Sequence, residues 1–344
     1  MPSKKKNLVL ISIMAMILGL SFLVHANNPE LIPNELGRIM ILEYHLIGYP
    51  EAEWRRTPEN FQKDLEMLYE NNYYPVSLDS YLSGTMKVPK GKTPFLMTFD
   101  DSSEGQFRYI KKGEKLVIDP QSAVGMMEKF KKEHSDFPLT ATFYVLPAIK
   151  PGLRLFGQEE YIKQKLEFLV EKGYEIGNHS YWHQNLRKTD DEGVQKQLAL
   201  AVKAIQSYLP GYQVRSLALP FGVHPKNELL EVSGTYEGIK YNHKSVMLVG
   251  SASALSPYST EFDPYKLERI QAGDTPWGPK AFIERHKKNP ELRYVSDGDL
   301  KTIAVPTQFQ GKIAKKFLKH FQEIIIPDRI NPNPTQTKSI PITR

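Results

Sequence analysis

The chain has 344 residues, of which 45 are Lys or Arg and 39 are Asp or Glu, so its formal net charge is +6. Hydrophobic residues make up 40% of the chain, enough for a sizeable core, and cysteine is absent. This composition excludes disulfide bonds, a thiol nucleophile, a thiolate zinc site and a lipid-modified cysteine, and no zinc finger, glycine-rich phosphate loop or mixed basic and aromatic stripe indicates nucleic-acid binding.

The N-terminal segment has the pattern of an export signal. Residues 4–6 are lysines, residues 8–24 are mostly apolar, and Ala26 offers a small-residue cleavage site before Asn27. The apolar run is long for a signal peptide and short for a membrane span, so an uncleaved N-terminal anchor is the alternative. We therefore expect a bacterial protein that is secreted or attached to the cell surface.

The rest of the chain, roughly 280 residues once both ends are set aside, alternates between strand and helix patterns. Short apolar strands are predicted at residues 39–45, 74–78, 94–99, 140–146, 216–219 and 245–249, and amphipathic helices at residues 61–69, 122–130, 161–171 and 195–208. This alternation indicates a repeated β/α architecture in one domain. Beyond residue 326, prolines at 327, 332, 334 and 341 favour an extended or mobile tail.

Two adjacent carboxylates follow the predicted strand at residues 94–99. Asp100 and Asp101 would emerge where this strand ends, at the open rim of a sheet or barrel. Because side chains alternate along an extended segment, one carboxylate can bind a metal while the other stays free to accept a proton. The alternative is a helix N-cap with a solvated neighbour.

Two histidines, His179 and His183, are separated by three residues. This spacing puts both imidazoles on one face of a helix, and a short loop can also bring them together. With Asp101 they form a His2Asp set that leaves a position open for water, which is typical of catalytic rather than structural zinc. We predict that Asp101, His179 and His183 bind the metal and that Asp100 is the general base.

On these residues the chain resembles the polysaccharide deacetylase family, the NodB-homology or carbohydrate esterase family 4 group. The first family motif, Thr-Phe-Asp-Asp-Gly, is matched by residues 98–101, with Ser102 in place of the glycine. The second, His-(Ser/Thr)-x-x-His, is matched by residues 179–183, and the third, Arg-x-Pro-(Tyr/Phe)-Gly, partly by residues 218–222. The resemblance implies metal-dependent hydrolysis of an acetyl group on a polysaccharide.

The resemblance covers about residues 39–306 and implies an α/β fold, a distorted (β/α) barrel with fewer than eight units and a single catalytic domain. The expected organisation is a signal peptide or anchor (1–26), the N-terminal part of the barrel (27–90), a NodB-like deacetylase domain (91–306), and a C-terminal helix with a proline-rich tail (307–344).

The chain also departs from the family pattern. Ala218 stands where the third motif has an arginine that orients the base, and we predict Arg269 as its substitute, the alternative being a solvated surface arginine. The Leu-x-His motif that supplies the general acid is absent near the end of the domain. His45, at the end of an apolar strand, is the predicted general acid. The alternative is a strand-end histidine that only forms a hydrogen bond with a loop. His286 lies in a charged stretch and is expected to face solvent.

We therefore predict an exported deacetylase acting on N-acetyl, or O-acetyl, groups of a glycan such as peptidoglycan or poly-N-acetylglucosamine. Zinc is the expected metal, with cobalt or nickel as alternatives, and Pro220 and Phe221 are expected at the substrate, with a backbone N–H near Phe221 binding the oxyanion. The positive charge would suit peripheral association with an anionic cell wall or membrane. Two alternatives are a glycan-binding protein of this fold with weak or no turnover and an amidase acting on a non-sugar amide.

Overall fold

The computed structural model describes residues 31–149, 154–327 and 338–342. The predicted export signal at residues 1–26 and most of the predicted tail lie outside these ranges. None of the helices in the described ranges is long and apolar enough to cross a membrane.

Seventeen strands are present in the described residues, and most of them are short. In chain order they are β1 (Met40–Tyr44), β2 (Leu46–Ile47), β3 (Arg55–Arg56), β4 (Tyr73–Pro75), β5 (Thr93–Phe99), β6 (Tyr109–Lys112), β7 (Lys115–Ile118), β8 (Thr142–Val145), β9 (Glu175–Asn178), β10 (Ser216–Ala218), β11 (Ser233–Tyr236), β12 (Ile239–Asn242), β13 (Ser245–Met247), β14 (Ile270–Gln271), β15 (Thr302–Ala304), β16 (Glu323–Ile326) and β17 (Lys338–Pro341).

Helices separate many of these strands. The α-helices span Pro58–Glu70, Leu78–Ser83, Ala123–Glu133, Ile162–Glu171, Asp191–Tyr208, Leu229–Val232, Pro279–Lys288 and Lys315–Leu318. Single turns of 3-10 helix lie at Arg154–Phe156, Glu159–Tyr161, Leu186–Lys188, Pro220–Gly222 and Pro290–Leu292, and a longer one at Thr307–Lys312.

The central sheet is parallel and curled. Its order is β13-β10-β9-β8-β5-β1-β14, and β4 pairs with the first half of β5. Met247, at the end of β13, forms a bridge with Leu267, and the Leu248 N–H donates to the Leu267 carbonyl at 2.9 Å. The segment that leads into β14 thus returns to the opposite edge of the sheet. The predicted distorted (β/α) barrel is confirmed.

Strand β5 shows why the sequence folds in this way. All seven of its residues are buried. Because one face of such a strand meets the barrel interior and the other meets the surrounding helices, both faces are apolar, and the sequence reads as an unbroken apolar run. The run stops at Phe99, so the next residue, Asp100, lies at the rim.

The helix Pro58–Glu70 illustrates how the outer layer forms. The Thr57 hydroxyl accepts a hydrogen bond from the first turn, and proline occupies the first helical position, where its missing N–H has no cost. Phe61, Leu65 and Leu68 recur at helical spacing and are fully buried against the sheet. Each such side chain contributes about 1.5–3 kcal/mol by leaving water.

The structure refines three predicted elements. The strand expected at residues 74–78 is Tyr73–Pro75, because Ser77 caps the helix Leu78–Ser83 with its hydroxyl. In the predicted extended or mobile tail, residues Lys338–Pro341 form the extended strand β17, which pairs antiparallel with β16. The expected C-terminal helix is the single turn Lys315–Leu318.

Candidate active site

The C-terminal ends of four parallel strands meet at one rim of the barrel. There β1 leads to His45, β5 to Asp100, β9 to His179 and β10 to the turn Pro220–Gly222. The backbone stays in register just past the strands, since the Asp100 N–H donates to the Tyr44 carbonyl at 2.9 Å. Catalytic groups gather at this rim in β/α barrels.

The three predicted metal ligands lie together at this rim. Asp101 Oδ1 is 3.4 Å from His179 Nε2 and 3.7 Å from His183 Nε2. Ligand atoms about 2.0–2.1 Å from a tetrahedral zinc ion are about 3.3–3.4 Å apart from one another. The observed separations therefore fit one small divalent cation with little movement.

The orientation of His179 also fits a cation. Its Nδ1 is 2.8 Å from the Ala218 carbonyl, which fixes the proton on Nδ1 and leaves a lone pair on Nε2. Nε2 is buried and has no hydrogen-bond partner among the described residues. Burial disfavours the charged imidazole, but the Asp100 and Asp101 carboxylates outweigh it and raise the pKa of His179. The carboxylates thus favour a positive charge at this ring, which a divalent cation bound at Nε2 would supply in place of a proton.

The second motif, residues 179–183, forms a turn and not a helix. Ser180 and His183 have φ angles of 66° and 54°, in the left-handed region that non-glycine residues seldom adopt. The Asn178 side chain accepts the Ser180 N–H at 2.8 Å, and the Ser180 hydroxyl accepts the His183 N–H at 3.0 Å. These bonds stabilise a strained backbone that brings both imidazoles toward Asp101.

The first motif is strained in the same way. Asp101 has a φ of 71°, and Ser102, which replaces the motif's glycine, has a φ of 44°. The Ser102 hydroxyl accepts the Leu146 N–H at 3.0 Å, and its carbonyl accepts the Phe156 N–H at 2.7 Å. The serine therefore adopts a conformation suited to glycine and offsets part of the strain with a buried hydrogen bond.

Arg269 binds the carboxylate of Asp100 at both oxygens. Its terminal nitrogens donate to Asp100 Oδ1 at 2.8 Å and Oδ2 at 2.7 Å. The guanidinium is fully buried and also donates to the Leu248 carbonyl and to the Thr98 hydroxyl. Arg269 is therefore not a solvated surface arginine, which was the alternative interpretation. Burial alone would raise the pKa of Asp100, but Arg269 outweighs it and holds the pKa well below its usual range.

Sequence reasoning missed Glu43, which also contacts Arg269. Glu43 Oε1 accepts from the second terminal nitrogen of Arg269 at 2.9 Å, and Oε2 is buried without a partner in the described part of the chain. Burial raises the pKa of Glu43 to about 7, against the opposing effect of Arg269. The available signal was a lone glutamate inside the apolar strand β1, because an acid there needs a buried cation.

His45 lies where β1 ends, next to these groups. Its Nε2 is 3.9 Å from Glu43 Oε1, and one ring nitrogen and one oxygen each of Glu43 and Asp100 lie within 4.8 Å of one another. The Trp54 ring packs edge-on against His45 with centroids 4.7 Å apart. Burial lowers the pKa of His45, although Asp100 and Asp101 oppose this effect.

The expectation for His286 is wrong. Its side chain is 3% exposed, and Nδ1 lies 2.8 Å from the Tyr73 hydroxyl in β4. The charged residues around it occupy the opposite face of the helix Pro279–Lys288, while His286 shares the buried face with Phe282 and Ile283. Its hydrogen bond goes to the packing layer behind β4 and not to the site.

The third motif forms a turn beside His183. Pro220 is buried, whereas Phe221 has a φ of 61° and is 58% exposed, with its ring centroid 4.7 Å from that of His183. The amides of Gly222 and Val223 close this turn by donating to the carbonyls of Leu219 and Pro220. The Phe221 amide takes no part in the closure.

Comparisons with known proteins match the part of the chain that carries this site. Residues 87–235, which contain the Asp100–Asp101 pair, His179 and His183, match the family model described as polysaccharide deacetylase. The peptidoglycan-N-acetylglucosamine deacetylase of Bacillus cereus is 23% identical over 172 residues, which are 50% of this chain and 52% of that protein. The chain thus spans about half the length of this curated relative.

Solved structures show the same fold. A polysaccharide deacetylase from Bacillus cereus aligns with a TM-score of 0.53 at 18% identity, covering 72% of this chain and 69% of the other. A Streptococcus pyogenes deacetylase in complex with acetate aligns with a TM-score of 0.50 at 16% identity, covering 72% and 98%. The matched family model confirms the resemblance to polysaccharide deacetylases over residues 87–235, and the solved structures share the barrel fold.

Proposed function

We propose that this protein is an exported, metal-dependent deacetylase that hydrolyses N-acetyl groups, or O-acetyl groups, of a cell-wall or extracellular glycan. One observation carries the proposal. The adjacent carboxylates are divided between two tasks: Asp101 faces the two histidine nitrogens, while Arg269 binds both oxygens of Asp100. A protein that only binds glycans has no use for an oriented, ionised carboxylate beside a metal-ligand set.

Asp101, His179 and His183 would hold the metal. When bound there, a divalent cation supplies a Lewis acid that activates water and polarises the acetyl carbonyl. Two imidazole nitrogens and one carboxylate oxygen suit zinc, and cobalt or nickel accept the same donors. This assignment rests on the donor types, their separations and the orphaned Nε2 of His179.

Asp100 accepts a proton from the attacking water. Because its pKa is held low, it is ionised at neutral pH, and Arg269 fixes the position of both oxygens before substrate arrives. The Phe221 N–H, which is not used in its own turn, would donate to the oxygen that becomes negative as the carbonyl is attacked.

His45 protonates the departing amine. Burial lowers the pKa of His45, so its protonated ring gives up a proton to the amine more readily than an ordinary histidine does. Asp100 lies within 4.8 Å of a His45 ring nitrogen, so the proton that Asp100 takes from water is released next to the acid. Glu43 Oε1 lies 3.9 Å from His45 Nε2, so this carboxylate, when ionised, favours the protonated imidazole.

Exposed aromatic rings on both sides of the site support a sugar substrate. Trp54 packs on His45 and is 38% exposed, while Phe221 packs on His183 and is 58% exposed. Rings of this kind pack against the apolar faces of sugars. The curated relative is named for peptidoglycan N-acetylglucosamine, so peptidoglycan and poly-N-acetylglucosamine are the substrates we propose, with a peripheral association of the basic protein with the wall or membrane.

Acetate release tests this function. The purified chain would be stripped of metal, reloaded with zinc, cobalt or nickel, and assayed on N-acetyl glycans and an O-acetylated xylan, beside Asp100→Asn. Asp136→Asn, a change of an exposed carboxylate, is the matched control. We expect release by the loaded wild type and the control only. Release by Asp100→Asn at the wild-type rate, or none by any protein, would reject the assignment.

Export needs a separate test. Cells that express the full chain would be fractionated and compared with cells that express a chain without residues 2–26. We expect the full chain in the medium or the cell-surface fraction and the shortened chain inside the cell. Equal distribution of the two chains would contradict the proposed export.

A further inference from the structure

We propose that Lys196, held between Trp182 and Tyr236, forms a subsite for a carboxylate on the sugar next to the one that is deacetylated. This inference rests on the proposed function and names its substrate class as an acidic glycan. We call these three residues the Lys196 platform. Its ammonium lies 5.8 Å from the Trp182 ring centroid and 5.7 Å from the Tyr236 ring centroid.

The platform adjoins the candidate active site through Trp182. Trp182 directly precedes His183, a proposed metal ligand, and 41% of its surface is exposed. The Gln197 side chain accepts the backbone N–H of Trp182 at 2.9 Å. This hydrogen bond fixes the loop to the helix Asp191–Tyr208, which carries Lys196. A sugar stacked on Trp182 would therefore neighbour a sugar whose acetyl group faces the metal ligands.

Tyr236 reaches the platform from a separate hairpin. Strands β11 and β12 form this hairpin between β10 and β13, and the Gln195 side chain accepts the Thr235 N–H at 3.2 Å. Gly234 allows the close packing of Tyr241, since an added Cβ would lie 2.4 Å from the Tyr241 hydroxyl. The hairpin is thus fixed on the helix by the Gln195–Thr235 hydrogen bond, which keeps the Tyr236 ring beside Lys196.

The charge of Lys196 has no carboxylate partner among the described residues. Glu192 lies one turn earlier, the spacing and order that favour an ion pair on a helix, yet no ion pair forms. Two lysines on other helices, Lys129 and Lys163, do pair with a glutamate at this spacing. Lys196 instead lies between two rings, where the ammonium keeps its N–H donors available to a ligand.

These features select the chemistry of the ligand. The exposed Trp182 ring packs against a sugar ring, and the ammonium beside it binds a carboxylate on that sugar. A neutral chain of N-acetylglucosamine would fill the ring contact and leave the cation unpaired. A chain in which N-acetylglucosamine alternates with a sugar bearing a free lactyl carboxylate would satisfy both, so we infer a preference for the acidic chain.

Binding to the metal-free full chain tests the subsite without turnover. The dissociation constants of two oligosaccharides of equal length would be measured by calorimetry: a neutral N-acetylglucosamine oligomer and the alternating oligomer with free lactyl carboxylates. We expect the acidic oligomer to bind about fivefold more tightly, as a partly exposed charged pair allows, and to lose this advantage at high salt. Equal affinities for the two oligomers would overturn the inference.

Variants then assign the effect to Lys196. Lys196→Met should abolish the preference and leave neutral binding unchanged, while Lys196→Arg should retain it. Lys203→Met, which removes the same charge two turns further along the same helix, is the matched control and should change nothing. If Lys196→Met weakens both oligomers equally, or Lys203→Met has the same effect, the subsite is rejected.

Acetate release from the zinc-loaded protein is recorded separately. Release from both oligomers without any charge-dependent binding rejects the subsite and leaves the deacetylase proposal standing. Charge-dependent binding without acetate release from either oligomer supports the subsite and rejects the proposed deacetylase function.

Discussion

Arg269 and Asp100 lie 169 positions apart in the chain and form a two-point ion pair inside the barrel. The third motif has alanine at position 218, so it has no side chain that could bind Asp100. The Ala218 carbonyl instead orients His179. The arginine comes from the segment just before β14, across the ring of strands. The cation that binds both oxygens of Asp100 is thus supplied by the segment before β14 and not by the third motif.

Removing this arginine should destabilise the protein strongly. Arg269→Met leaves Asp100 and Glu43 buried without their shared cation, and breaking a buried ion pair in this way costs about 3–5 kcal/mol. Urea unfolding would measure the loss. Arg215→Met, which removes an exposed guanidinium, should cost less than about 0.5 kcal/mol. A smaller loss for Arg269→Met than about 1 kcal/mol would show that the pair contributes little.

The backbone at Ser102 makes a second prediction. Ser102→Ala and Ser102→Gly both remove the hydroxyl that accepts the Leu146 N–H, but only glycine adopts a φ of 44° without strain. We expect Ser102→Gly to be more stable than Ser102→Ala by about 1 kcal/mol in urea unfolding. Equal stability of the two variants would mean that the positive φ carries no strain.

Part of the site could be predicted from the sequence, and the rest could not for a physical reason. Asp100, Asp101 and His179 follow strands directly and His183 lies in the turn after His179, so the local pattern predicts where they emerge. The strands themselves are short apolar runs. Glu43 has no such signal beyond its unusual setting, because its partner is 226 positions away. Contacts of this length depend on how the sheet closes, which the local pattern does not encode.

The wrong expectation for His286 has the same origin. Its charged sequence neighbours predict exposure, but the helix Pro279–Lys288 turns those neighbours outward and packs His286 on Tyr73. The proline-rich tail is expected to be extended or mobile, and residues Lys338–Pro341 form an extended strand, β17, that pairs with β16. In both cases packing against a distant element decides what the local composition leaves open.

The burial of His286 predicts a pH dependence of stability. Burial lowers its pKa to about 4, whereas a histidine in the unfolded chain has a pKa of about 6.5. The unfolded chain therefore binds the extra proton between these values, so the stability from the neutral ring is present above about pH 6.5 and is lost as the pH falls toward 4. The full loss is about 3 kcal/mol.

His286→Phe should remove this share of the dependence. Urea unfolding of wild type and variant at several pH values between 7 and about 4 would measure it. The slope should decrease without vanishing, because burial also lowers the pKa of His243 to about 4. An identical slope in both proteins would contradict the assignment of His286 as a buried neutral group.

Metal binding should be visible in thermal stability without any substrate. A ligand that binds only the folded protein stabilises it, by about 2.7 kcal/mol at a hundredfold excess over its dissociation constant. We expect zinc to raise the Tm of the metal-free wild type and to have little effect on Asp101→Asn or His183→Ala. Asp136→Asn, at an exposed position, should respond like the wild type. An unchanged response in Asp101→Asn would exclude this carboxylate as a ligand.

The acid role of His45 separates turnover from metal binding. His45→Ala removes a ring that lies within 4.8 Å of Asp100 but is not one of the three proposed metal ligands. We expect kcat for acetate release to fall by roughly 10²–10⁴, the usual contribution of a general acid, while the zinc content and the zinc-dependent rise in Tm stay at the wild-type level. His224→Ala, at a histidine that pairs with Glu231 and is not among the proposed site residues, is the control for a lost imidazole. If His45→Ala keeps the wild-type kcat, another group protonates the amine, and a loss of zinc would instead identify His45 as a ligand.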